Sequence, residues 1–136
     1  MNVLLVDDDH VFNLLNRKIL ETLGVAEVDI ATNGAEALLL FNEYFSGTRP
    51  RPDLILLDIN MPVMDGFGFL EAYYKMPSSN RDKVKIIIVT SSLDPREISR
   101  ANAMGIEHVL TKPVRKEQLI EAINSAATLK SLKLSH

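Results

Sequence analysis

Leu54-Ile55-Leu56-Leu57 is an unbroken apolar run, opened by Pro52-Asp53 and closed by the acid Asp58, with Pro62 soon after. A run this short and uniform suits a strand covered on both faces, since a half-exposed strand would alternate with polar residues. Strands of that kind belong to parallel sheets whose helical crossovers cover both sides. Asp58 then stands where a buried scaffold meets solvent. Taken alone, such an acid reads as a turn residue. Whether it is more depends on how the other strands end.

Val3-Leu4-Leu5-Val6 runs into Asp7-Asp8-Asp9, and Ile86-Ile87-Ile88-Val89 runs into Thr90-Ser91-Ser92. His108-Val109-Leu110-Thr111 is a short last strand leading to Lys112-Pro113. Val28-Asp29-Ile30-Ala31 alternates apolar and polar, as a strand at a sheet margin does. Between these lie helical patterns. Asp9 caps a first helix whose apolar stripe is Val11, Leu14, Leu15, Ile19 and Leu23, ended by Gly24. Asn33-Gly34-Ala35-Glu36 has capping-box spacing ahead of Ala37, Leu38, Phe41 and Phe45. Asp65-Gly66 opens a third helix with Phe67, Leu70 and Tyr73, in which Gly68 predicts loose packing. A polar loop begins at Pro77-Ser78-Ser79-Asn80. Asp94-Pro95-Arg96-Glu97 starts a fourth helix, closed by Gly105. The fifth carries Leu119, Ile120 and Ile123 and is expected to fray between Leu129 and His136.

Strand and helix thus alternate five times. The expectation is an α/β fold: a doubly wound, five-stranded parallel sheet of (βα)5 type, in one domain over residues 1–130 with a short tail at 131–136. With 136 residues, such a domain buries roughly 70% of its unfolded surface and needs no staples. The chain has no cysteine, which excludes disulfides and thiolate chemistry. A net charge of −3 offers no basic field for direct nucleic-acid binding. No apolar stretch is long enough for a membrane span, and no signal-peptide pattern opens the chain, so a cytoplasmic location is expected.

Right-handed crossovers bring the C-terminal ends of parallel strands to one edge, where such folds bind ligands. Asp7-Asp8, Asp58, Thr90 and Lys112 all end strands there. Asp7, Asp8 and Asp58 repel one another unless protons or a hard cation intervene, and a sparse oxygen site suits Mg²⁺ better than Ca²⁺. Zinc is disfavoured, because His10, His108 and His136 are scattered. A hydroxyl and an ammonium beside the carboxylates suit an anion with several oxygens, which points to phosphoryl transfer with Asp58 as the accepting nucleophile.

The motifs Val3-Leu4-Leu5-Val6-Asp7-Asp8, Leu54 to Asp58 with Met61-Pro62 and Met64-Asp65-Gly66, Val89-Thr90-Ser91 and Leu110-Thr111-Lys112-Pro113 span nearly the whole chain. In this order they resemble the receiver domain of two-component response regulators. The resemblance implies a flavodoxin-like sheet of order 2-1-3-4-5 and a stand-alone regulator. It implies that Asp58 takes a phosphoryl group from a phosphohistidine, donated by a sensor histidine kinase or a histidine phosphotransfer protein. Asp8 and Asp58 would bind Mg²⁺ through side chains, Asp7 through water and Asn60 through its backbone carbonyl. Thr90 and Lys112 would contact phosphoryl oxygens, and the Lys112-Pro113 bond would be cis. Asn60 and Ser92 would tune phosphoryl lifetime, through slow self-catalysed dephosphorylation rather than conventional enzyme turnover. Since the chain ends after the fifth helix, output is expected through a downstream protein partner on the face of the fourth helix, fifth strand and fifth helix, by a monomer or weak dimer. Phe12, near the site on the first helix, is a candidate anchor for a partner if exposed, the other reading being a core position.

One position departs from the family. Three residues before the lysine, where receivers carry an aromatic, stands Val109, and His108 points to the opposite face. Switching is therefore expected to run through the Thr90–Ser92 loop without an aromatic rotamer change. Other readings fit less well. A haloacid-dehalogenase-like phosphatase needs an acid where Asn60 stands. A flavodoxin would place phosphate against Asp7-Asp8-Asp9, and no P-loop is present. The alternatives that survive are a receiver-like interaction module that works without phosphorylation, and a relay intermediate that passes the phosphoryl group on.

Overall fold

The structure is a computed structural model that describes residues 1–77, 84–92 and 94–124. Most of the polar loop expected from Pro77, the expected fraying near Leu129 and the tail at 131–136 lie outside the described residues. Strands β1 (Asn2–Val6), β2 (Glu27–Ala31), β3 (Leu54–Leu57), β4 (Lys85–Thr90) and β5 (His108–Thr111) alternate with helices α1 (His10–Thr22), α2 (Gly34–Ser46), α3 (Gly66–Tyr74) and α4 (Pro95–Ala103). A fifth helix, α5, covers residues 116–124. All strand pairs are parallel, in the order β2-β1-β3-β4-β5, so β3 is central and the alternating β2 lies at an edge. No helix among the described residues is long and apolar enough to cross a membrane.

Strand alternation sorts the core into two layers. Leu4, Val6, Ile55, Leu57 and Ile88 pack with Phe41, Phe69, Tyr73 and Ala101, which come from α2, α3 and α4. Val3, Leu5, Leu54, Leu56, Ile87 and Val89 pack with Leu20 of α1 and Leu119 and Ala122 of α5. Every residue of β3 is buried, as the uniform run requires.

The helix starts follow their capping residues. Asp9 accepts from the N–H groups of Val11 and Phe12, Asp65 from Gly68, and Asp94 from Arg96. Asn33 accepts from Glu36, but Glu36 reaches back to the backbone of Thr32 rather than of Asn33, so the capping box closes one residue early. Gly68 has a packing role, because a Cβ there would press to 3.1 Å of Met64 Cγ. Five of the nine residues of α3 are buried, so packing offsets the helix-propensity cost of that glycine.

The face of α1 departs from the expected stripe. Val11, Leu14 and Leu15 are 68%, 53% and 56% exposed, and the buried positions are Asn13, Asn16 and Leu20. The reason lies in hydrogen bonding. Asn13 donates to the carbonyl of Asp7 at 2.9 Å and Asn16 to that of Phe12 at 2.9 Å, so two side-chain NH2 groups go inside with acceptors and Val11, Leu14 and Leu15 face outward, while Ile19 of the expected stripe does pack against the α1–α5 core.

Candidate functional site

Each site residue is held by the backbone that carries it. The N–H of Asp58 donates to Val6 at 2.9 Å and that of Asp7 to Ala31 at 3.0 Å, extending the sheet one residue past its strands. The N–H of Lys112 donates to the carbonyl of Thr90 at 2.8 Å, and the Lys112-Pro113 bond is cis, as expected. Gly66 closes the floor. Its N–H donates to Ile59 at 2.9 Å, and a Cβ on it would lie 2.4 Å from the carbonyl oxygen of Asp58. Only glycine allows that approach.

The expected residues converge. One carboxylate oxygen from each of Asp7, Asp8 and Asp58 lies within 4.8 Å of the others. Asp7 and Asp58 are buried, whereas Asp8 is exposed. The ammonium of Lys112 is 2.7 Å from Asp7 Oδ2 and 3.5 Å from Asp58 Oδ2. Three carboxylates against one ammonium leave the site negative.

The two buried acids are held differently. Asp7 accepts from the N–H of Asp9 at 2.9 Å through Oδ1 and pairs closely with Lys112 through Oδ2. Among the described residues, Asp58 is engaged only at longer range, by the N–H of Asn60 at 3.3 Å and by Lys112 at 3.5 Å. Burial and the charge of Asp7 push the Asp58 carboxyl up to about 6, against the pull of Lys112 and of the Asn60 N–H. Burial also raises Asp7. For Lys112, burial works against the charge, but the two carboxylates outweigh it and hold the ammonium above its usual range.

Hard oxygen donors around a negative hollow fit a magnesium-sized cation. Asp7 Oδ2 supports the fit: it is buried, and its pairing with Lys112 lies outside hydrogen-bond alignment, so it keeps a lone pair for another partner. Thr90 is buried, and its hydroxyl oxygen accepts from the N–H of Ser92 at 3.1 Å, leaving the hydroxyl hydrogen free to donate. Val109 sits opposite Ile88 and packs on the α2–α4 side of the core.

The placement of Phe12 corrects an expectation. It is half-buried against the α1–α5 core, with the ammonium of Lys112 4.4 Å from its ring centre, so it faces the site rather than a partner. Asn13 and Gly66 also support the site and were not expected to. Strand alternation is the signal that bears on Phe12 and Asn13. Continued past β1, β3 and β5, it sends Asp7, Asp58 and Lys112 toward the layer that α1 covers.

Three comparisons bear on this arrangement. The family model described as response regulator receiver domain matches residues 3–124. The chain is 34% identical over 125 residues to a probable chemotaxis protein CheY of Rhizobium etli, covering 92% of this chain and 91% of that protein. It is also 34% identical over 126 residues to the chemotaxis protein CheY of Halobacterium salinarum, covering 93% and 96%. A crystal structure of a two component response regulator from Cytophaga hutchinsonii superposes with a TM-score of 0.83 at 30% identity, covering 93% of this chain and 96% of that one.

Proposed function

Because the chain belongs to the response regulator receiver domain family, we propose that it is a phosphoacceptor whose acceptor is Asp58. The observation that carries this reading is a buried, loosely held carboxylate at the end of the central strand, with the Lys112 ammonium at 3.5 Å and the oxygens of Asp7 and Asp8 clustered beside it. The reaction is a displacement at phosphorus. An oxygen of Asp58 forms a bond to phosphorus as the bond to the phosphohistidine nitrogen breaks. The leaving imidazole keeps the bond's electron pair, and an acyl phosphate remains. Hydrolysis of that acyl phosphate would return Asp58.

The chain's own groups have separate tasks. Weak engagement leaves the Asp58 lone pairs available for attack. Lys112 turns from carboxylate to phosphoryl oxygen with little travel. Thr90 donates its free hydroxyl hydrogen to another phosphoryl oxygen, drawing the Thr90–Ser92 loop with it. Asp8 and Asp58 through side chains, Asp7 through water and Asn60 through its carbonyl would hold Mg²⁺, which when bound neutralises phosphoryl charge. Asn60 and Ser92, each two residues beyond a site residue, set access of water to the acyl phosphate. Val109 already packs into the core, so the signal leaves through the Thr90 loop and α4 rather than through an aromatic swing. The donor is a histidine kinase or histidine phosphotransfer protein. The exposed Val11, Leu14 and Leu15 of α1 would give it an apolar landing surface. Output runs through the face of α4, β5 and α5.

Incubation with acetyl phosphate and Mg²⁺, read by intact mass, tests the reading. One added phosphoryl group is expected on the native chain and none on Asp58→Asn. If neither acetyl phosphate nor a cognate kinase gives an adduct, the protein is an interaction module that works without phosphorylation.

A further inference from the structure

Lys112 is held on three sides, and one of the three is not an acid. Asp7 Oδ2 lies at 2.7 Å, Asp58 Oδ2 at 3.5 Å, and the centre of the Phe12 ring at 4.4 Å from its ammonium. That last distance is well inside the roughly 6 Å over which an aromatic face attracts a cation. The ring stands on a fixed base. Its backbone N–H donates to the capping carboxylate of Asp9 at 3.1 Å, and its carbonyl accepts from the buried Asn16 side chain at 2.9 Å. At the other end, Lys112 is tied to β4 by its own N–H. Both partners therefore start from anchored backbone, Phe12 on α1 and Lys112 at the end of β5.

We propose that Phe12 is a positioning residue for Lys112, its ring face seating the ammonium between Asp7 and Asp58 so that incoming phosphoryl oxygens meet a lysine already in place. Without the ring, the ammonium is free to close on the nearer carboxylate of Asp7, and Lys112 has to be drawn from that pair before it can serve Asp58. The ring attracts the cation but carries no negative charge, so the lysine keeps its charge for the phosphoryl group. An aliphatic side chain of similar bulk fills the space and supplies none of this. The role rests on the phosphoacceptor reading of Asp58, whereas the contact itself does not.

The test separates ring electrostatics from bulk by comparing the native chain with Phe12→Tyr, Phe12→Leu and a chain carrying pentafluorophenylalanine at position 12, whose ring face no longer attracts cations. Phosphorylation rates with acetyl phosphate and Mg²⁺ are measured alongside thermal melts. NMR reads the ring-current displacement of the Lys112 side-chain protons. Expected are rates within about twofold of native for Tyr and about three- to tenfold slower for Leu and the fluorinated ring, on the usual strength of a half-buried cation–π contact. The melting point of the fluorinated protein should stay near native. The upfield displacement should be present in the native and Tyr proteins and absent in Leu. Native rates in both Leu and the fluorinated protein, or no displacement in the native protein, overturn the proposal. A native protein that shows the displacement but takes no phosphoryl group overturns the phosphoacceptor reading, and with it the role drawn for the contact.

Discussion

The two faces of the sheet share one backbone and are filled differently. On the α2–α4 side the core is aromatic: the Phe41 ring lies 5.1 Å from Tyr44, 5.5 Å from Tyr73 and 6.2 Å from Phe69, centre to centre. On the α1–α5 side the fully buried residues are aliphatic, and α1 buries two asparagines with one leucine. The site opens on that second side, where Phe12 and Asn13 of α1 meet Lys112 and the Asp7 carbonyl. Burial of apolar surface holds the fold from one face, and the other gives up part of its burial to hold polar groups in place. Stability and chemistry are thereby partly separated, and substitutions on the two faces should show it.

The largest expected effect is on the aromatic side. Phe41→Ala removes a ring that is 2% exposed and central to the cluster, at a cost of about 3–5 kcal/mol in urea unfolding. If the faces are separate, any folded fraction still takes up phosphoryl groups at Asp58. A loss below 1 kcal/mol would mean that this layer is not the structural core.

The site side should give the opposite sign. Asp58 has a folded pKa of about 6 against an ordinary 3.8, because burial and Asp7 disfavour its charge. A carboxyl raised in the folded state binds its proton more tightly there than in the unfolded chain, so ionising it costs stability. In metal-free protein that cost is absent below about pH 4, grows from there to about pH 6, and persists above, reaching on the order of 2 kcal/mol. Asp58→Asn should therefore raise metal-free stability at pH 7 and flatten the decline between pH 4 and 6. Urea melts in chelator across that range check it, and a variant less stable than native at pH 7 contradicts it.

That opposition explains what could be read in advance. The strands were legible because β1, β3 and β4 are nearly uniform apolar runs, and the meeting of Asp7, Asp8, Asp58 and Lys112 because these residues follow the ends of β1, β3 and β5. The caps Asp9, Asn33 and Asp94 were legible because their chemistry is local. The orientation of α1 was not. Hydropathy spacing treats Asn13 and Asn16 as surface residues, and only their partners, the carbonyls of Asp7 and Phe12, make burial favourable. The direction of Phe12 was hidden for the same reason, since it follows from that rotation. Gly66 was legible as the opening of α3 but not as the floor of the site, because nothing local shows that Asp58 passes so close to it.

Asn13 sharpens the comparison at smaller scale. Asn13→Ala leaves the buried carbonyl of Asp7 without its side-chain donor and should cost about 1–2 kcal/mol. On the aromatic face a similar loss would come from lost packing. Here it comes from one hydrogen bond, so Asn13→Leu, which restores apolar volume, should not recover it. Full recovery by leucine would show that α1 is held by volume after all.

The smallest effect belongs to the loop between β3 and α3. Val63 has φ of +69°, a conformation that costs a β-branched residue roughly 1–3 kcal/mol, and it is 88% exposed, so no packing repays the strain. Glycine removes the clash but loses more chain entropy on folding, by about 0.5–1 kcal/mol. Asparagine tolerates the left-handed region with less entropy loss. Val63→Gly should therefore stabilise by about 0.5 kcal/mol and Val63→Asn by slightly more, while Val63→Ile should gain nothing. The loop links Asp58 to the aromatic-side helix α3, so phosphorylation rates in the same variants show whether the strain reaches the site. Unchanged rates with raised stability would keep the two faces separate. Slower rates in both Gly and Asn would mean that the strained turn holds Asp58 ready, and that the faces are joined at this loop.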